Sequence, residues 1–442
     1  MRPILFTSFS DYSKAYSLNI VTENQIKQLL LAGYSPTVIV HDTFQPEGMF
    51  AHPSVTLEKI PNVPCHNEVK KDPTFDADVD ALEKRLMEIL KDGDVVITHD
   101  IVYQNACLKH NMAARRVADK LPGVRWLHWI HSATSPQLLS MVRPVFSDAY
   151  ANLVTKPFPH AYYVYPNAYA IPSVAKNFGV DQELVKVVHH PTDICGFLGI
   201  SPAVQEVVYQ KDMLAADAIC TYPVRLDTGK QVEMVVKTMA MLREFAFGIR
   251  VIIIDFHSTG PEKVEYREKI KQVAIDYGLR ENELTFTSEC NPQWEVEADQ
   301  SVVRDFQLLS NVFILPSVSE TYSLIAQEAL LTKQVAVLNY DFPPFREIYG
   351  SDAIYRKFSS GFDVLADPTE AIRLGSATNT QYGPANLPPE ARKEAEKAYH
   401  KETAGMIAKR LNHPEMAQAI RIRKERNLLS NFKRELEPLL YE

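Results

Sequence analysis

The chain has 442 residues, 46% of them hydrophobic, which is enough for two α/β domains of ordinary size and usual for a soluble globular protein. Its net charge of −8 speaks against electrostatic capture of nucleic acid, and no apolar run approaches the ~18 residues of a membrane span. Five scattered cysteines, Cys65, Cys107, Cys195, Cys220 and Cys290, have no CxxC spacing and indicate neither a disulfide framework nor a zinc site.

Arg2 to Phe9 is a first strand; the opening is too short and too soon polar for a signal peptide, so the expected location is the cytoplasm. Ala15 to Leu31 alternates as an amphipathic helix that Ala32-Gly33 stops, and Pro36 to His41 is a second strand. This β-α-β opening suits a Rossmann-like half. The loop inside it, Ser8 to Ser13, offers Ser8, Ser10, Asp11 and Tyr12 and lacks the GxGxxG of a dinucleotide fold, which counts against a dehydrogenase. Phe75 to Lys91 reads as a helix, with Asp78 and Asp80 in a first turn where acids complement the helix dipole. Asp94 to Thr98 is a buried strand ending in His99-Asp100, Gln104 to Leu121 a helix, and Val124 to His131 a strand carrying His128 and His131 before the polar Ser132-Ala133-Thr134. Tyr162 to Pro166, a helix from Ala168 to Phe178, and Leu184 to His190 continue the pattern up to Pro191-Thr192-Asp193. Neighbouring His189 and His190 on a strand face opposite sides, so with His128 and His131 they form no metal site.

Residues 196–215 read as an interdomain segment, and Ala218 to Pro223 starts a second α/β unit. Arg225 and Lys230 then stand five apart in a loop bearing Gly229, just before a helix from Gln231 to Phe245. Such a loop is either an anion cradle or ordinary surface charge. Arg250 to Phe256 is the next strand, Glu262 to Tyr277 a helix, and Leu284 to Thr287 a strand followed by Ser288 to Cys290. Asn311 to Pro316 is a buried strand, succeeded by a serine-rich loop with Glu320 and a helix with Leu324, Ala329 and Leu330 on its apolar face and Glu328 two turns in. Glu320 and Glu328, eight residues apart, cannot meet; they are a capping acid and a solvent-facing acid, or they border one cleft at a strand's carboxyl end, where open α/β sheets bind ligands. Gln334 to Leu338 is a further strand, and the alternation fades after Asp367. Pro384 to Leu411 and Pro414 to Leu440 are helical. The basic stretch 421–434 is a solvated helix face interleaved with Glu425 and Glu435, or an acceptor or membrane-surface patch.

Pro316-Ser317, Glu320, Glu328 after seven residues, the strand from Gln334 and a later Arg346-Glu347 resemble the donor-site signature of retaining glycosyltransferases of family 4. That resemblance implies an α/β protein of GT-B fold with two facing Rossmann-like domains. The first would span 1–205, with C-terminal helices at about 415–442 crossing back to it, and the second 206–414. It implies transfer of a sugar from a nucleoside diphosphate sugar, a UDP-sugar above all, to an acceptor hydroxyl, with retention and with neither metal nor cofactor. Carried over, Glu320 contacts sugar hydroxyls and Glu328 the ribose, while Arg225 and Lys230 grip the diphosphate. Thr321, Tyr322, Ser323 and Leu324 form the donor loop; the family places glycines around its aromatic, and here they are Thr321 and Ser323. Cys290 falls where the nucleobase is met, and His131 matches the histidine near the donor sugar. His131, Arg225, Lys230 and Glu320 are thus the catalytic set, with Ser10, Asp11, Tyr12, His99 and Asp193 on the acceptor and interdomain side. Asp78-x-Asp80 invites comparison with the metal-binding Asp-x-Asp of GT-A enzymes, but its helical first turn accounts for it. The acceptor is a glycan, a small molecule or a hydroxymethylated pyrimidine in DNA; a sugar-nucleotide epimerase, a phosphorylase or a non-catalytic nucleotide-sugar binder are the alternatives on this architecture.

Overall fold

A computed structural model describes residues 1–64, 73–131, 133–136, 153–256, 260–317, 320, 322–358, 379–380, 383–384 and 388–442; of the residues named above, Cys65, Ser132, Thr321 and Asp367 lie outside it. The chain divides into two compact units, Met1–Asp193 with Arg426–Glu442, and Ile194–Glu425.

The first unit is built on strands β1 (Arg2–Phe6), β2 (Thr37–His41), β3 (Thr56–Ile60), β4 (Asp94–His99), β5 (Arg125–Trp129), β6 (Ala161–Tyr165) and β7 (Val185–Val187). They form a parallel sheet in the order β3-β2-β1-β4-β5-β6-β7. Strands β2 and β4 are buried along their whole length, which is why they read as unbroken apolar runs. Alternate side chains go to opposite faces. Ile4, Phe6, Ile39, Val96 and Trp126 pack with helices Phe75–Ile89, Leu108–Lys120 and Ile171–Phe178. Leu5, Val38, Val40, Val95 and Ile97 pack instead with helix Ser17–Leu31 and with Phe432, Leu436 and Leu440 from the chain's last residues.

The second unit repeats the plan with β8 (Ala218–Arg225), β9 (Ile249–Phe256), β10 (Leu284–Phe286), β11 (Val312–Leu315), β12 (Val335–Asn339) and β13 (Ile354–Arg356). Its order is β10-β9-β8-β11-β12-β13, again parallel. Helices Val232–Met241, Pro261–Asp276 and Pro389–Leu411 cover one face, and Pro202–Gln210 with Gln300–Leu309 cover the other. Two Rossmann-like α/β domains with a C-terminal return to the first are therefore present, as expected. Sequence periodicity missed β3 and β13: both are short edge strands, only half buried, with no apolar run to mark them.

Residues 194–205, expected in the first domain, pack with the second unit, where Cys195, Ile200 and Val204 share a core with Trp294 and Phe306. The return to the first unit also begins later than residue 415. Helix Pro414–Arg426 is held to the second unit by Arg423, which donates to the carbonyls of Leu309 (2.9 Å), Ala216 (3.0 Å) and Asp217 (3.0 Å), and by a Lys424–Asp217 ion pair of 2.8 Å. The crossing is at Arg426, whose carbonyl accepts from Thr192 N at 2.7 Å, and Asn427 caps a new helical turn by accepting from Ser430 N at 3.0 Å. Beyond it, Gln28 donates to Leu428 O (3.0 Å) and Asn431 Oδ1 (2.9 Å), and His189 Nδ1 meets Glu435 at 3.1 Å. Arg426 and Arg434 also pair with Glu435, so four cations of the basic stretch serve the fold rather than an exposed patch.

The C-terminal return is part of the first unit's core. Phe432 is 1% exposed, and Phe432→Ala is expected to lower the unfolding free energy by about 3–5 kcal/mol, measured by urea denaturation. A loss below 1 kcal/mol would mean that the return is only lightly docked.

Candidate functional site

In each sheet the chain grows to one side and then resumes on the other. The reversal lies between β1 and β4 in the first unit and between β8 and β11 in the second. Loops leaving the carboxyl ends of two such strands part from one another and open a crevice there.

At the second reversal, Lys230 comes from the loop after β8 and Glu320 from the loop after β11. Lys230 Nζ lies 2.6 Å from Glu320 Oε1 and 3.3 Å from Ser317 Oγ. Each end of the bridge is anchored: Tyr222 OH donates to the Lys230 carbonyl at 3.1 Å, and buried Asn339 donates to Ser317 O at 3.0 Å. Two predicted site residues ninety positions apart are thus brought together.

Arg225 is not part of that bridge. Its Nε donates to Asp227, whose other carboxylate oxygen takes Lys263 Nζ. Bonding to Lys263 first, then to Arg225, holds the Asp227 carboxyl below its ordinary range against the opposing effect of burial. Glu328 is separate again: its Oε1 accepts from Gln300 Nε2 at 2.8 Å, while its Oε2 is buried with no hydrogen-bond partner among the described residues. Cys290 donates its thiol to Phe286 O at 3.3 Å, and burial pushes that thiol up to about 11, so it is a packed side chain beside β10 rather than a nucleophile.

Between the two acids the backbone does what glycine would do. Ser323 takes φ +67° at the start of helix Leu324–Leu331, a conformation that costs a residue with a Cβ about 1–2 kcal/mol. Its hydroxyl is buried without a partner, and Tyr349 OH donates to its carbonyl at 3.2 Å. Tyr322 accepts from Gln327 Nε2 at 2.7 Å with its ring half exposed, and Leu324 is exposed on the first helical turn. Gln231, opening helix Val232–Met241 after β8, has φ +49° and repeats the device.

The carboxyl ends of β4 and β5, beside the first unit's reversal, gather histidines. His99 Nδ1 and His131 Nε2 are 3.0 Å apart with nearly parallel rings, and His190 lies parallel to His131 at 5.2 Å between centroids. Burial, then its histidine neighbours, pushes His131 down to about 2; burial and His190 push His99 down to about 3. All are neutral near pH 7. Asp100, at φ +62°, accepts from Gln104 at 2.6 Å with one oxygen and leaves the other buried and without a close partner among the described residues; burial, opposed by hydrogen bonding from Tyr103, the His131 backbone and Gln104, raises its carboxyl to about 6. Neither Asp100 nor His190 was singled out from the sequence, although an acid directly after a buried strand was a signal.

The remaining expectations separate. Ser10 donates to Asp11 at 3.4 Å in an exposed loop, and Tyr12 packs edge-on against Phe50. Asp193 forms a 2.7 Å ion pair with Lys27, and His128 is sealed in the core against Thr98 (2.9 Å) and the Phe158 ring. Asp78 pairs with Lys109 at 2.6 Å and Asp80 with Arg116 at 2.7 Å, so neither acid of the Asp-x-Asp pair is free.

No protein-family model and no curated protein matches the chain. Among solved structures it is similar to HepE from Anabaena in complex with UDP, at 13% identity over 100% of both chains and a TM-score of 0.32. It is likewise similar to an α,α-trehalose-phosphate synthase (UDP-forming) from Burkholderia xenovorans in complex with glucose-6-phosphate (12%, 100% of both chains, 0.34). A third is sucrose-phosphate synthase from Thermosynechococcus elongatus (16%, 100% of this chain and 98% of that, 0.33). Likenesses this distant carry no inference about chemistry, which rests on the residues of this chain.

The buried histidines make acid stability a readout. An unfolded histidine titrates near 6.5, whereas His99 and His110 are held down to about 3 and His131 to about 2. Below pH 6.5 the unfolded chain binds protons that the folded one refuses, so each costs about 1.4 kcal/mol per pH unit. Asp100 acts oppositely between its ordinary 3.8 and about 6, offsetting one of the three there. Urea midpoints are expected to fall steadily from pH 6.5 to 4.5, and His99→Asn to flatten the slope. A flat profile in the wild-type protein would contradict the burial of these rings.

Proposed function

We propose that this protein is a retaining glycosyltransferase of GT-B type, moving a sugar from a nucleoside diphosphate sugar, a UDP-sugar foremost, to an acceptor hydroxyl. The observation that carries this reading is the Lys230–Glu320 bridge across the β8/β11 reversal, a cation and an acid held 2.6 Å apart where an open sheet receives its ligand. Departure of a nucleoside diphosphate needs fixed positive charge at the leaving group, and a water-poor crevice strengthens it. Lys230 and Arg225 supply it, with amides at the start of helices Val232–Met241 and Leu324–Leu331 behind them. Glu320, once Lys230 turns to the diphosphate, accepts hydrogen bonds from sugar hydroxyls. Glu328 holds the ribose through its unpartnered Oε2. His131, neutral, serves as a hydrogen-bonding group and not as a cation.

In the reaction the bond between the sugar's anomeric carbon and the phosphate oxygen breaks, and a bond to the acceptor oxygen forms on the same face. The acceptor's proton passes to the departing diphosphate. No metal or further cofactor enters this scheme. A glycan or small molecule is the better acceptor than DNA, because the basic stretch at the C-terminus spends Arg423, Lys424, Arg426 and Arg434 on internal partners. Among the described residues no helix is long and apolar enough to cross a membrane, and the site is proposed to work in the cytoplasm.

Two measurements test the scheme. Turnover is expected to survive EDTA, and the product's proton NMR spectrum to keep the donor's anomeric configuration; loss of turnover in chelator restored by Mn²⁺, or an inverted anomer, overturns it. Free nucleotide released without a glycosylated product would mark an epimerase instead. The two acids separate by calorimetry: Glu328→Ala should weaken nucleoside diphosphate and donor alike, by roughly ten- to a hundredfold. Glu320→Ala should leave nucleoside diphosphate binding nearly intact and lower turnover. The reverse pattern would mean that the donor lies the other way round.

A further inference from the structure

Of the Arg225–Asp227–Lys263 cluster only Arg225 belongs to the sequence signature, yet all three stand on the same rim as the Lys230–Glu320 bridge. Arg225 closes β8, Asp227 follows in the loop that carries Lys230, and Lys263 lies in the first turn of helix Pro261–Asp276, which follows the neighbouring strand β9. All belong to one unit. Asp227 takes Arg225 Nε on one oxygen and Lys263 Nζ on the other. Bound through Nε, the guanidinium keeps Nη1 and Nη2 without a hydrogen-bond partner among the described residues, on a side chain 61% exposed. That is the fork an arginine presents to a phosphate.

Surface arginines carry about 2 kcal/mol of rotamer entropy and seldom hold one pose unless anchored. Here a single acid anchors Arg225 and brings a second cation to it from the next strand's helix. Counting formal charges over this rim, Arg225, Lys230 and Lys263 give three positive against Asp227 and Glu320, two negative, leaving one net positive charge before any ligand arrives. If the cluster only tied helix Pro261–Asp276 to the loop, a single lysine on Asp227 would suffice.

We propose that Lys263 is a third cation of the diphosphate site and that Asp227 is a positioning residue, which holds Arg225 and Lys263 ready for the two phosphates. The proposal rests on the donor site inferred above and extends it to residues supplied by β9. Asp227 does not touch the ligand; its charge is spent on the two cations, which otherwise would repel one another and swing into solvent.

The test is calorimetry of the full chain with UDP and, separately, with inorganic pyrophosphate, on wild type, Lys263→Met, Lys263→Arg and Asp227→Asn. Both ligands are expected to bind Lys263→Met at least tenfold more weakly than wild type, with Lys263→Arg close to wild type. Asp227→Asn is expected to weaken both ligands and to leave uridine, which has no phosphate, unchanged. Thermal unfolding of each variant controls for the fold, and Lys263→Arg keeps the ion pair in any case. UDP and pyrophosphate binding to Lys263→Met as tightly as to wild type overturns the proposal while leaving the donor site standing; a wild type that binds neither overturns the donor site together with it. Pyrophosphate binding that depends on Lys263, in a protein that turns over no nucleotide sugar, supports the anion site and removes sugar transfer.

Discussion

A parallel sheet covered by helices on both faces has no place for a polar side chain except at the ends of its strands. Here both sheets largely follow that restriction, and the interior exceptions, His128 and Thr221, each find a hydrogen-bond partner. The middles of β2, β4, β9 and β11 are apolar and closed to water, and the polar groups that could do chemistry are pushed to the carboxyl ends. Where sheet growth reverses, two neighbouring strands send their loops apart, and the polar groups of both loops face the same opening. Lys230 with Glu320 in one unit owe their meeting to this geometry, and His99 with His131 in the other to the adjacent carboxyl ends of β4 and β5, rather than to nearness in sequence.

That geometry also separates what the sequence discloses from what it hides. Burial on both faces writes a continuous apolar run, so central strands such as Asp94–His99 and Val312–Leu315 are legible, and the helices between them follow by periodicity. The edge strands β3 and β13 carry no such run and pass unseen, whereas the edge strands β7 and β10 were legible. The residue types of the donor loop were legible too, because an acid or a cation stands out directly after an apolar run. Their pairings were not: Lys230 meets Glu320, and Asp227 joins Arg225 to Lys263, through strand adjacency that periodicity does not encode. Glycine was the misleading signal. The donor loop lacks the glycines of the family it resembles, yet Ser323 and Gln231 adopt the left-handed backbone without them, stabilised by contacts such as Tyr349 to the Ser323 carbonyl.

Many charged groups among the described residues are paired within the fold, and this sharpens the meaning of polar atoms that are not. Asp78, Asp80, Asp193 and Asp217 each neutralise a cation. Against that background, buried polar atoms left without partners at the strands' carboxyl ends stand out: Glu328 Oε2, Ser323 Oγ, Asp100 Oδ1 and His99 Nε2. Each such atom costs about 1–3 kcal/mol. Unpartnered atoms occur elsewhere as well, on Gln25 and Trp126 for instance, so lack of a partner alone marks no site. Coincidence with the reversal points is what gives the four their weight.

The chain's return to its own beginning bears on how the molecule is made. Synthesis runs from the N-terminus, and domains generally fold as they emerge. The first sheet can pair its strands early, but the face formed by Leu5, Val38, Val40 and Ile97 stays open until Phe432, Leu436 and Leu440 arrive. Between those events the ribosome adds the entire second unit, so the domain begun first is completed last. During that interval a nascent apolar surface is a target for chaperones and for neighbouring chains.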